Sequence, residues 1–321
     1  MNKIILQQAQ ELAKLWGGFR ASRVVLTANN YEVFEHLRSG KTADEIAGIL
    51  GTDNRATEIL LDALTALGLL RKTGPRYRNA PVAKRFLVKG GPAYQGDMLR
   101  HADTLWKNWS GLDDVLKTGS PNRAGGRNHD AFIKAMHNNA VLRVKDVIDA
   151  VDLRGVKRAL DLGGGPGTYT MELAKRGISV TLFDLPNTIE VARTMIRPPL
   201  LRKIHFLEGD FHINDIGQGY DLAFISQVFH SFSEDENRVL LKKVRDALNP
   251  KGRIAIHEFY LDKNRAFPAP GALFSVNMLV NTASGRSYAP QEMKQWLKRT
   301  QFGDIKEKRM GDTVLITGVR G

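Results

Sequence analysis

The chain has 321 residues, of which 42% are hydrophobic and 25% are charged, and it contains no cysteine. Its length and apolar content exclude wholesale disorder and favour two domains. The lack of cysteine excludes disulfides, thiolate metal sites and cysteine nucleophiles, and no metal site is predicted. The longest apolar stretch, Ile59 to Leu70, is interrupted by Asp62 and is too short to cross a bilayer. We therefore expect a soluble cytoplasmic protein without a membrane partner.

The formal net charge of +13 raises the question of a nucleic-acid partner. The excess of basic residues is spread along the chain rather than gathered in one arm. A solvated surface explains such a distribution at least as well as a polyanionic partner does. Charge alone therefore does not predict nucleic-acid binding.

Residues 1–95 have the pattern of short helices followed by a β-hairpin. Thr42 and Glu45 have the spacing of a capping box, which marks the start of a helix. A second helix begins near Asp53, and the turn Thr73-Gly74-Pro75 separates two short strands after it. Two helices followed by such a wing predict a winged-helix domain.

The exposed positions of the second helix argue against DNA binding by this domain. They carry Arg55, Glu58 and Asp62, whereas a helix that enters the major groove should neutralise phosphates rather than repel them. We therefore expect the domain to serve dimerisation or to cover a substrate. The apolar residues that precede it, such as Leu15 and Trp16, predict a homodimer without a nucleic-acid partner.

Residues 96–150 are predicted to form a helical linker that contributes to a substrate pocket. Phe132 and Met136 are four residues apart and share one helical face. Periodicity alone explains them better as core residues than as ligand contacts. Both interpretations stay open at this point.

From residue 151 to residue 321, short apolar strands alternate with helical segments. This alternation is typical of an open, mostly parallel sheet with helices on both faces, so the predicted fold class is α/β with a Rossmann-like sheet. The last two strands, joined by Met310-Gly311, should form an antiparallel pair at the sheet edge. The predicted strands cover residues 158–162, 178–184, 203–207, 220–226, 252–259, 304–309 and 312–319.

Polar groups follow five of these strands, and ligands of such sheets bind outside the carboxyl ends of the strands. The first strand leads into the glycine-rich turn Gly163–Gly167, whose backbone can approach a ligand closely. Asp184 ends the second strand, where an acidic side chain can accept hydrogen bonds from ribose hydroxyls. The other groups are Gly209, Asp210 and Phe211 after the third strand, Ser226, Gln227 and His230 after the fourth, and Glu258 at the end of the fifth.

This pattern fits either a dinucleotide or an adenosyl ligand. A dinucleotide fingerprint has a third glycine where this chain has Thr168, which disfavours a nicotinamide cofactor. The turn after the third strand favours an adenosyl group, because Asp210 can accept from an exocyclic amine while Phe211 packs on adenine. An NAD-dependent oxidoreductase is therefore the weakest alternative.

Three segments carry a family resemblance. Asp161–Gly167, Phe206–Phe211 and Val228–Glu236 resemble the class I S-adenosylmethionine-dependent O-methyltransferases, in particular the acetylserotonin and caffeate O-methyltransferase group. The resemblance covers nearly the whole chain and implies an N-terminal winged-helix dimerisation domain. It also implies S-adenosyl-L-methionine as the cofactor and a small aromatic or polyketide-like hydroxyl compound as the methyl acceptor.

The resemblance also implies a role for individual residues. The family's catalytic base falls on His230 and the carboxylate that orients it on Glu258. An imidazole can take a phenol proton during methyl transfer, and a carboxylate on its other nitrogen fixes the tautomer. His257, the neighbour of Glu258 on a strand, should point to the other face and be structural. The implied cofactor residues are Gly163, Gly165, Asp184, Leu185, Gly209, Asp210, Phe211, Ser226 and Gln227, and the implied substrate residues are Phe132, Met136 and Met278.

The sequence departs from the family pattern around the base. Ser231 and Phe232 follow it, where the family commonly has an acid and a tryptophan. Ser226 stands where a basic residue is common, and Ser287 where the family has a second carboxylate. These departures keep open a family member with other chemistry, such as hydroxylation or decarboxylation. A winged-helix regulator that senses S-adenosylmethionine and binds DNA is a further alternative, which the acidic second helix disfavours.

Overall fold

The chain folds as two units, and a computed structural model describes residues 3–126 and 128–321. Contacts group residues 1–103 into the first unit and residues 104–321 into the second. Within the described ranges, no helix is both long enough and apolar enough to cross a membrane.

The first unit begins with a single long helix, α1, which spans Lys3–Asn30 and has 28 residues. The prediction of only short helices in this region is therefore wrong. Its apolar residues are largely exposed within the chain, Leu12 at 57% and Leu15 at 80%. Because they do not form one regular stripe and Gly17-Gly18 interrupts them, the periodicity that reveals a helix is weak here.

The rest of the first unit has the predicted winged-helix arrangement. The capping box is present, since Thr42 Oγ1 accepts from the backbone N–H of Glu45 at 3.2 Å and Glu45 Oε2 accepts from that of Thr42 at 2.6 Å. Asp53 begins the second helix by accepting from the backbone N–H of Ala56 at 2.7 Å. The elements after α1 are α2 (Val33–His36), β1 (Lys41–Thr42), α3 (Ala43–Leu50), α4 (Asn54–Ala66), β2 (Leu70–Thr73), β3 (Arg76–Asn79) and α5 (Pro81–Phe86), with β3 paired between β1 and β2.

Helices come next in the chain, as expected for the linker region. One of them, α8, begins after Asn128, whose side chain accepts from the backbone N–H of Ala131 at 3.0 Å. This capping satisfies a backbone donor that the first turn of a helix leaves without a partner. The helices of this region are α6 (Gly96–Trp109), α7 (Leu112–Thr118), α8 (His129–Val141) and α9 (Val144–Asp149).

The second unit is built on a mostly parallel sheet, which confirms the predicted fold class. Seven strands of this sheet lie in the described residues, in the order β6-β5-β4-β7-β8-β10-β9, where β4 (Arg158–Leu162), β5 (Ser179–Asp184), β6 (Ile204–Glu208), β7 (Tyr220–Ser226) and β8 (Leu248–Phe259) are parallel. The edge strands β9 (Phe302–Met310) and β10 (Thr313–Arg320) are antiparallel, as predicted. The packed helices are α10 (Thr168–Lys175), α11 (Pro186–Met195), α12 (Glu234–Ala247), α13 (Ala269–Asn281) and α14 (Pro290–Arg299).

The strand order fixes where a ligand can bind. After β4, the chain adds β5 and β6 on one side of it and then the other four strands on the opposite side, so the direction of strand addition reverses beside β4. Ligands of open α/β sheets bind at such a switch point, outside the carboxyl ends of the strands. The strand β8 starts at Leu248 rather than at the predicted Gly252, because Leu248 pairs with Tyr220 ahead of a register irregularity.

Alternation along β8 separates two neighbouring polar residues. Ile256 packs in the core on one side of the sheet and Ala255 in the core on the other. Glu258 therefore faces the side of Ile256, and His257 faces the side of Ala255. As expected, His257 lies away from Glu258, with its ring centroid 6.0 Å from that of Tyr169.

Candidate active site

The glycine-rich turn after β4 is joined to the carboxylate at the end of β5. The backbone N–H of Gly165 donates to Oδ2 of Asp184 at 2.8 Å. Gly165 has a φ of +53°, and a Cβ built there would meet nothing within 4 Å, so the turn leaves open space beside it. At Gly163, where φ is +67°, a Cβ would lie 2.7 Å from a methyl group of Val228. The turn thus needs glycine for its packing at one position and leaves room for a ligand at the other.

Asp184 is held by several hydrogen bonds at once. Besides Gly165, the backbone N–H of Leu185 donates to Oδ1 at 2.8 Å, and the side chain of Thr188 also bonds to the carboxylate. Burial raises the pKa of Asp184, and these hydrogen bonds oppose that effect. Its backbone carbonyl accepts from Gly209 at 3.0 Å, which ties the turn after β6 to the end of β5. The result is an oriented carboxylate at the switch point.

Asp161 is a buried carboxyl group that packs against the glycine-rich turn. The residue is only 1% exposed, and its Oδ2 accepts from the hydroxyl of Thr170 at 2.6 Å. Burial raises the pKa of Asp161 to about 7, although the bond from Thr170 acts in the opposite direction. A Cβ at Gly164 would lie 3.1 Å from the Asp161 carboxyl group. Asp161 is therefore packed under the turn, in a structural position.

The turn after β6 is shaped by its own side chains and by a lysine from α12. Asp210 donates its backbone N–H to Oδ1 of Asn214 at 2.9 Å, and its own Oδ1 accepts from the backbone N–H of His212 at 2.9 Å. Lys243 Nζ donates to the carbonyl oxygens of Phe211, at 2.8 Å, and of Asn214. The bond from His212 engages one carboxylate oxygen of Asp210 and thereby orients this side chain within the turn.

The strand β7 ends in a strained turn. Gln227 has a φ of 60°, a left-handed conformation that non-glycine residues adopt rarely, and its N–H donates to the carbonyl of His257 at 2.9 Å. The hydroxyl of Ser226 lies 2.9 Å from Nδ1 of His257. Burial lowers the pKa of His257 to about 4, so this ring is neutral. The Ser226 hydroxyl is therefore engaged in the structure of the turn, and strain of this kind is frequent at ligand sites.

His230 and Glu258 form a buried, hydrogen-bonded pair. Nδ1 of His230 lies 2.8 Å from Oε2 of Glu258, and Oε1 accepts from the backbone N–H of Phe229 at 2.8 Å. The side chains of the pair are 11% and 5% exposed. In the described part of the chain, Nε2 of His230 has no hydrogen-bond partner. The carboxylate thus fixes the ring through one nitrogen and leaves the other nitrogen available to a ligand.

Two partly buried phenylalanines border the ring of His230. Phe274, on α13, meets it edge-on with a centroid distance of 4.8 Å and an interplanar angle of 90°. Phe259, at the end of β8, has its centroid 6.1 Å from that of His230, and the two phenylalanine rings are 4.0 Å apart. Aromatic side chains in this arrangement offer ring faces and edges to a planar ligand.

The three predicted substrate residues lie on two helices. Met278 is 7% exposed on α13, which packs against the short turn Phe229–Ser231 that carries His230. Phe132, on α8, is 40% exposed, and Met136 on the same helix is partly buried. The structure therefore brings the helix of Met278 next to His230.

The departures from the family pattern have local explanations. Phe232 packs edge-on against Phe211, with ring centroids 5.5 Å apart. Ser287 is 2% exposed, and its hydroxyl donates to the backbone carbonyl of Gly271 at 3.0 Å. Ser287 thus holds the loop after α13, and among the described residues Glu258 is the carboxylate that bonds to His230.

Sequence reasoning missed several residues that shape this site. Lys243 and Phe274 contact residues far from them in the chain, so no local pattern indicates them. A Cβ at Gly285 would lie 2.3 Å from the carbonyl oxygen of His230, so glycine allows the loop after α13 to approach His230. In the sequence, the Gly285-Arg286 pair marks the position of Ser287 but does not indicate this close approach.

Fold and site together define a class of enzyme. The winged-helix unit and the mostly parallel sheet with its switch point at β4 have the fold of a solved S-adenosylmethionine-dependent methyltransferase. The chain belongs to the O-methyltransferase family, since the family model of the O-methyltransferase domain matches residues 100–303 and that of the O-methyltransferase dimerisation domain matches residues 13–89. The resemblance seen in the sequence is thereby confirmed, and S-adenosylmethionine is the cofactor. The dimerisation domain supports a homodimer.

Individual relatives agree with this assignment over almost their full lengths. The chain is 31% identical to 3-hydroxy-5-methyl-1-naphthoate 3-O-methyltransferase of Streptomyces sahachiroi, covering 96% of this chain and 94% of that protein. It is 32% identical to acetylserotonin O-methyltransferase of Gallus gallus, with 95% of each covered. The solved structure of human N-acetylserotonin methyltransferase in complex with SAM superposes with a TM-score of 0.90 at 26% identity, covering 98% of both chains.

Proposed function

We propose that this enzyme methylates a hydroxyl group of a small aromatic or polyketide-like acceptor, with His230 as the general base and Glu258 as the residue that orients it. One observation carries the proposal: the carboxylate of Glu258 bonds to Nδ1 of His230 and leaves Nε2 open beside two aromatic rings. A histidine held in this way can accept the proton of a hydroxyl group placed against Nε2.

The residues at the strand ends fit an adenosyl cofactor. Asp184 would accept from ribose hydroxyls, Asp210 would accept from the adenine amine, and the open space at Gly165 would admit the cofactor beside the turn. When bound, S-adenosylmethionine supplies an electrophilic methyl group on a sulfonium sulfur. The remaining residues that we assign to the cofactor site are Gly163, Leu185, Gly209, Phe211, Ser226 and Gln227.

The base acts through the geometry of the pair. The acceptor hydroxyl would donate to Nε2 of His230 and pass its proton to that nitrogen, so that the oxygen could take the methyl group that the bound cofactor would supply by breaking its bond to the sulfonium sulfur. The ring then carries a positive charge, which Glu258 stabilises from the opposite nitrogen at 2.8 Å. Because the pair is buried, this charge interaction is stronger than it would be in water. Glu258 therefore supports both the orientation and the charge of the base.

The aromatic character of the acceptor follows from the surroundings of the base. Phe259 and Phe274 present partly buried rings next to His230, and such rings favour a planar aromatic ligand over a flexible aliphatic one. We add Phe132, Met136 and Met278 as residues of the acceptor pocket. Two relatives are named for aromatic compounds, a naphthoate and acetylserotonin, and this supports the same class of acceptor.

The proposal also covers the organisation of the chain. Residues 1–95 would form the dimerisation domain, residues 96–150 would contribute to the acceptor pocket, and residues 151–321 would bind the cofactor. The acidic side chain of Asp62, exposed on α4, binds Lys72 of the wing at 2.7 Å and reduces the positive charge there. This pairing supports a dimerisation role over nucleic-acid binding.

A panel of acceptors tests the proposal. The protein is incubated with S-adenosylmethionine labelled on its methyl group and with phenols, naphthols, polyketide-like hydroxyl compounds, aliphatic alcohols and aryl amines. We expect label on the oxygen of planar hydroxyl compounds. Transfer to nitrogen or carbon, or an equal rate with aliphatic alcohols, would contradict the assigned acceptor class.

A further inference from the structure

Helix α8 is attached at two points to the helices that begin beside the cofactor site. Its first residue, His129, has Nε2 3.2 Å from the hydroxyl of Thr188 on α11. Two turns later, His137 has Nδ1 2.8 Å from the hydroxyl of Thr168 on α10. Neither histidine takes part in the chemistry described above.

Both threonines lie at the proposed cofactor site. Thr168 is the first residue of α10 and follows Gly167 of the glycine-rich turn directly. Thr188 is in the first turn of α11, and its side chain also bonds to Asp184. The two residues are 5% and 2% exposed. These hydroxyls are therefore buried polar groups, and losing a partner would leave each of them less well satisfied.

The spacing of the two histidines matches the spacing of the two helices. Because β4 and β5 are neighbours in the sheet, α10 and α11 begin close to each other. Eight residues of α-helix extend over about 12 Å, which compares with roughly 8–10 Å between packed helices. The segment from His129 to His137 is thus long enough to bridge the starts of α10 and α11.

The bridging segment carries two of the residues assigned to ligand binding. Phe132 and Met136 are three and seven residues after His129, so they lie on the same side of the helix. Phe132 is 40% exposed, whereas Ile133, its neighbour on α8, is 3% exposed. Phe132 and Met136 therefore lie on the segment of α8 between its two hydrogen bonds, the one from His129 to Thr188 and the one from His137 to Thr168.

We propose that His129 and His137 are positioning residues that hold α8 against the cofactor site and thereby set the affinity for S-adenosylmethionine. This inference rests on the cofactor residues assigned above. Since each hydrogen bond contributes modestly on its own, removing one should weaken cofactor binding about 3- to 10-fold. Removing both should weaken it further.

Replacements by leucine and by amides provide the test. His129→Leu and His137→Leu remove the polar atoms, while His129→Gln and His137→Asn place an amide near the position of Nε2 and Nδ1, respectively. Lys134→Ala is the matched control, because this α8 side chain is 42% exposed and pairs with Asp130. Calorimetry gives the Kd for S-adenosylmethionine, steady-state kinetics gives its KM and kcat, and thermal unfolding monitors folding.

We expect the leucine variants to raise the Kd and KM for S-adenosylmethionine about 3- to 10-fold with kcat at saturation changed less than about twofold. The amide variants should recover most of the affinity, and Lys134→Ala should match the wild type. In a cycle of His137→Leu with Thr168→Val, the two effects should be non-additive because one bond is lost in both.

Two results would overturn the inference. One is a Kd within about twofold of wild type in both leucine variants, and the other is additive effects in the His137/Thr168 cycle. If a leucine variant fails to fold, the Kd of Thr168→Val for S-adenosylmethionine is the deciding measurement. This change removes the hydrogen bond between His137 and Thr168 with little change in side-chain volume. Asp184→Ala, measured in parallel, separates this inference from the site assignment: if it weakens binding while the histidine variants do not, only the role of α8 is wrong.

Discussion

The carboxylate of Glu258 makes two hydrogen bonds near His230. Its Oε2 lies 2.8 Å from Nδ1 of the His230 ring, and its Oε1 accepts from the backbone N–H of the preceding residue, Phe229, at 2.8 Å. The carboxylate therefore fixes the backbone that carries the histidine as well as the orientation of its ring. Since Glu258 is 4% exposed, water does not compete effectively for either bond. Glu258→Gln keeps the size of the side chain but removes its charge, so in steady-state kinetics it should lower kcat less than loss of the histidine does. A kcat equal to that of the wild type would show that the charge of Glu258 does not support His230.

Asp184→Ala should weaken binding of S-adenosylmethionine by about 1–3 kcal/mol, because it removes the carboxylate that we propose accepts from the ribose hydroxyls. The change also removes the acceptor for the backbone N–H of Gly165, so the glycine-rich turn should loosen. Isothermal calorimetry measures the effect, with Asp152→Ala, an acidic residue outside this site, as the control. An unchanged Kd would remove Asp184 from the cofactor site.

Phe274→Leu should reduce kcat/KM for a planar naphthol about 3- to 10-fold, because this ring lies next to His230, with the two ring centroids 4.8 Å apart. An aliphatic alcohol gains little from the ring, so its rate should change less. Phe267→Leu is the matched control, since Phe267 is 69% exposed. Equal losses for both kinds of acceptor would show that Phe274 supports the fold rather than selects the acceptor.

Asp161→Asn should change how stability depends on pH. Burial raises the pKa of Asp161 to about 7 in the folded chain, so between about pH 4 and pH 7 the folded state keeps a proton that the unfolded chain has released. The wild type therefore loses stability from this group as the pH rises through that window. Asparagine does not titrate, so the variant does not lose stability in this way. The free energy of unfolding of the variant minus that of the wild type should therefore increase by on the order of 3 kcal/mol between pH 4 and pH 8.

Urea denaturation of both proteins without cofactor, at pH 4, 6 and 8, measures this difference. Groups that do not interact with Asp161 titrate alike in the two proteins and cancel when one free energy of unfolding is subtracted from the other. A difference that stays constant with pH would mean that Asp161 titrates alike in the folded and unfolded chain.

Leu15→Glu should dissociate the homodimer. Leu15 is 80% exposed on α1 within the single chain and lies inside the matched dimerisation domain, residues 13–89, so we expect a partner chain to cover it. A charge buried there without a partner is strongly unfavourable. Leu116→Glu on α7, where the leucine is 77% exposed, is the control. Sedimentation velocity at micromolar concentration should show a monomer for the first variant and a dimer for the second, and the reverse outcome would place the interface elsewhere.

The parts of the fold that the sequence predicted are those with a local signal. The alternation of strands and helices after residue 151 predicted the sheet, and the rule that ligands bind at strand ends was enough to assign Asp184, His230 and Glu258 to one region. Capping side chains such as Thr42 located a helix start to within a residue. Each of these inferences depends on residues close together in the chain.

What could not be predicted depends on contacts between distant elements. The bonds from His129 to Thr188 and from His137 to Thr168 require knowing how α8 packs on α10 and α11. The position of Phe274 beside His230 depends in the same way on the packing of α13. The long helix α1 was missed for a different reason, since its apolar residues face outward within a single chain and form no regular stripe.

The central claim, that His230 takes the acceptor proton, is tested most directly by His230→Ala in single turnover with cofactor bound. We expect the rate toward a phenol of ordinary acidity to fall about 10²- to 10⁴-fold while the Kd for S-adenosylmethionine changes less than about twofold. A nitrophenol already ionised at the assay pH needs no base, so the variant should recover most of its activity with that acceptor. Full activity of His230→Ala toward the ordinary phenol would contradict the mechanism.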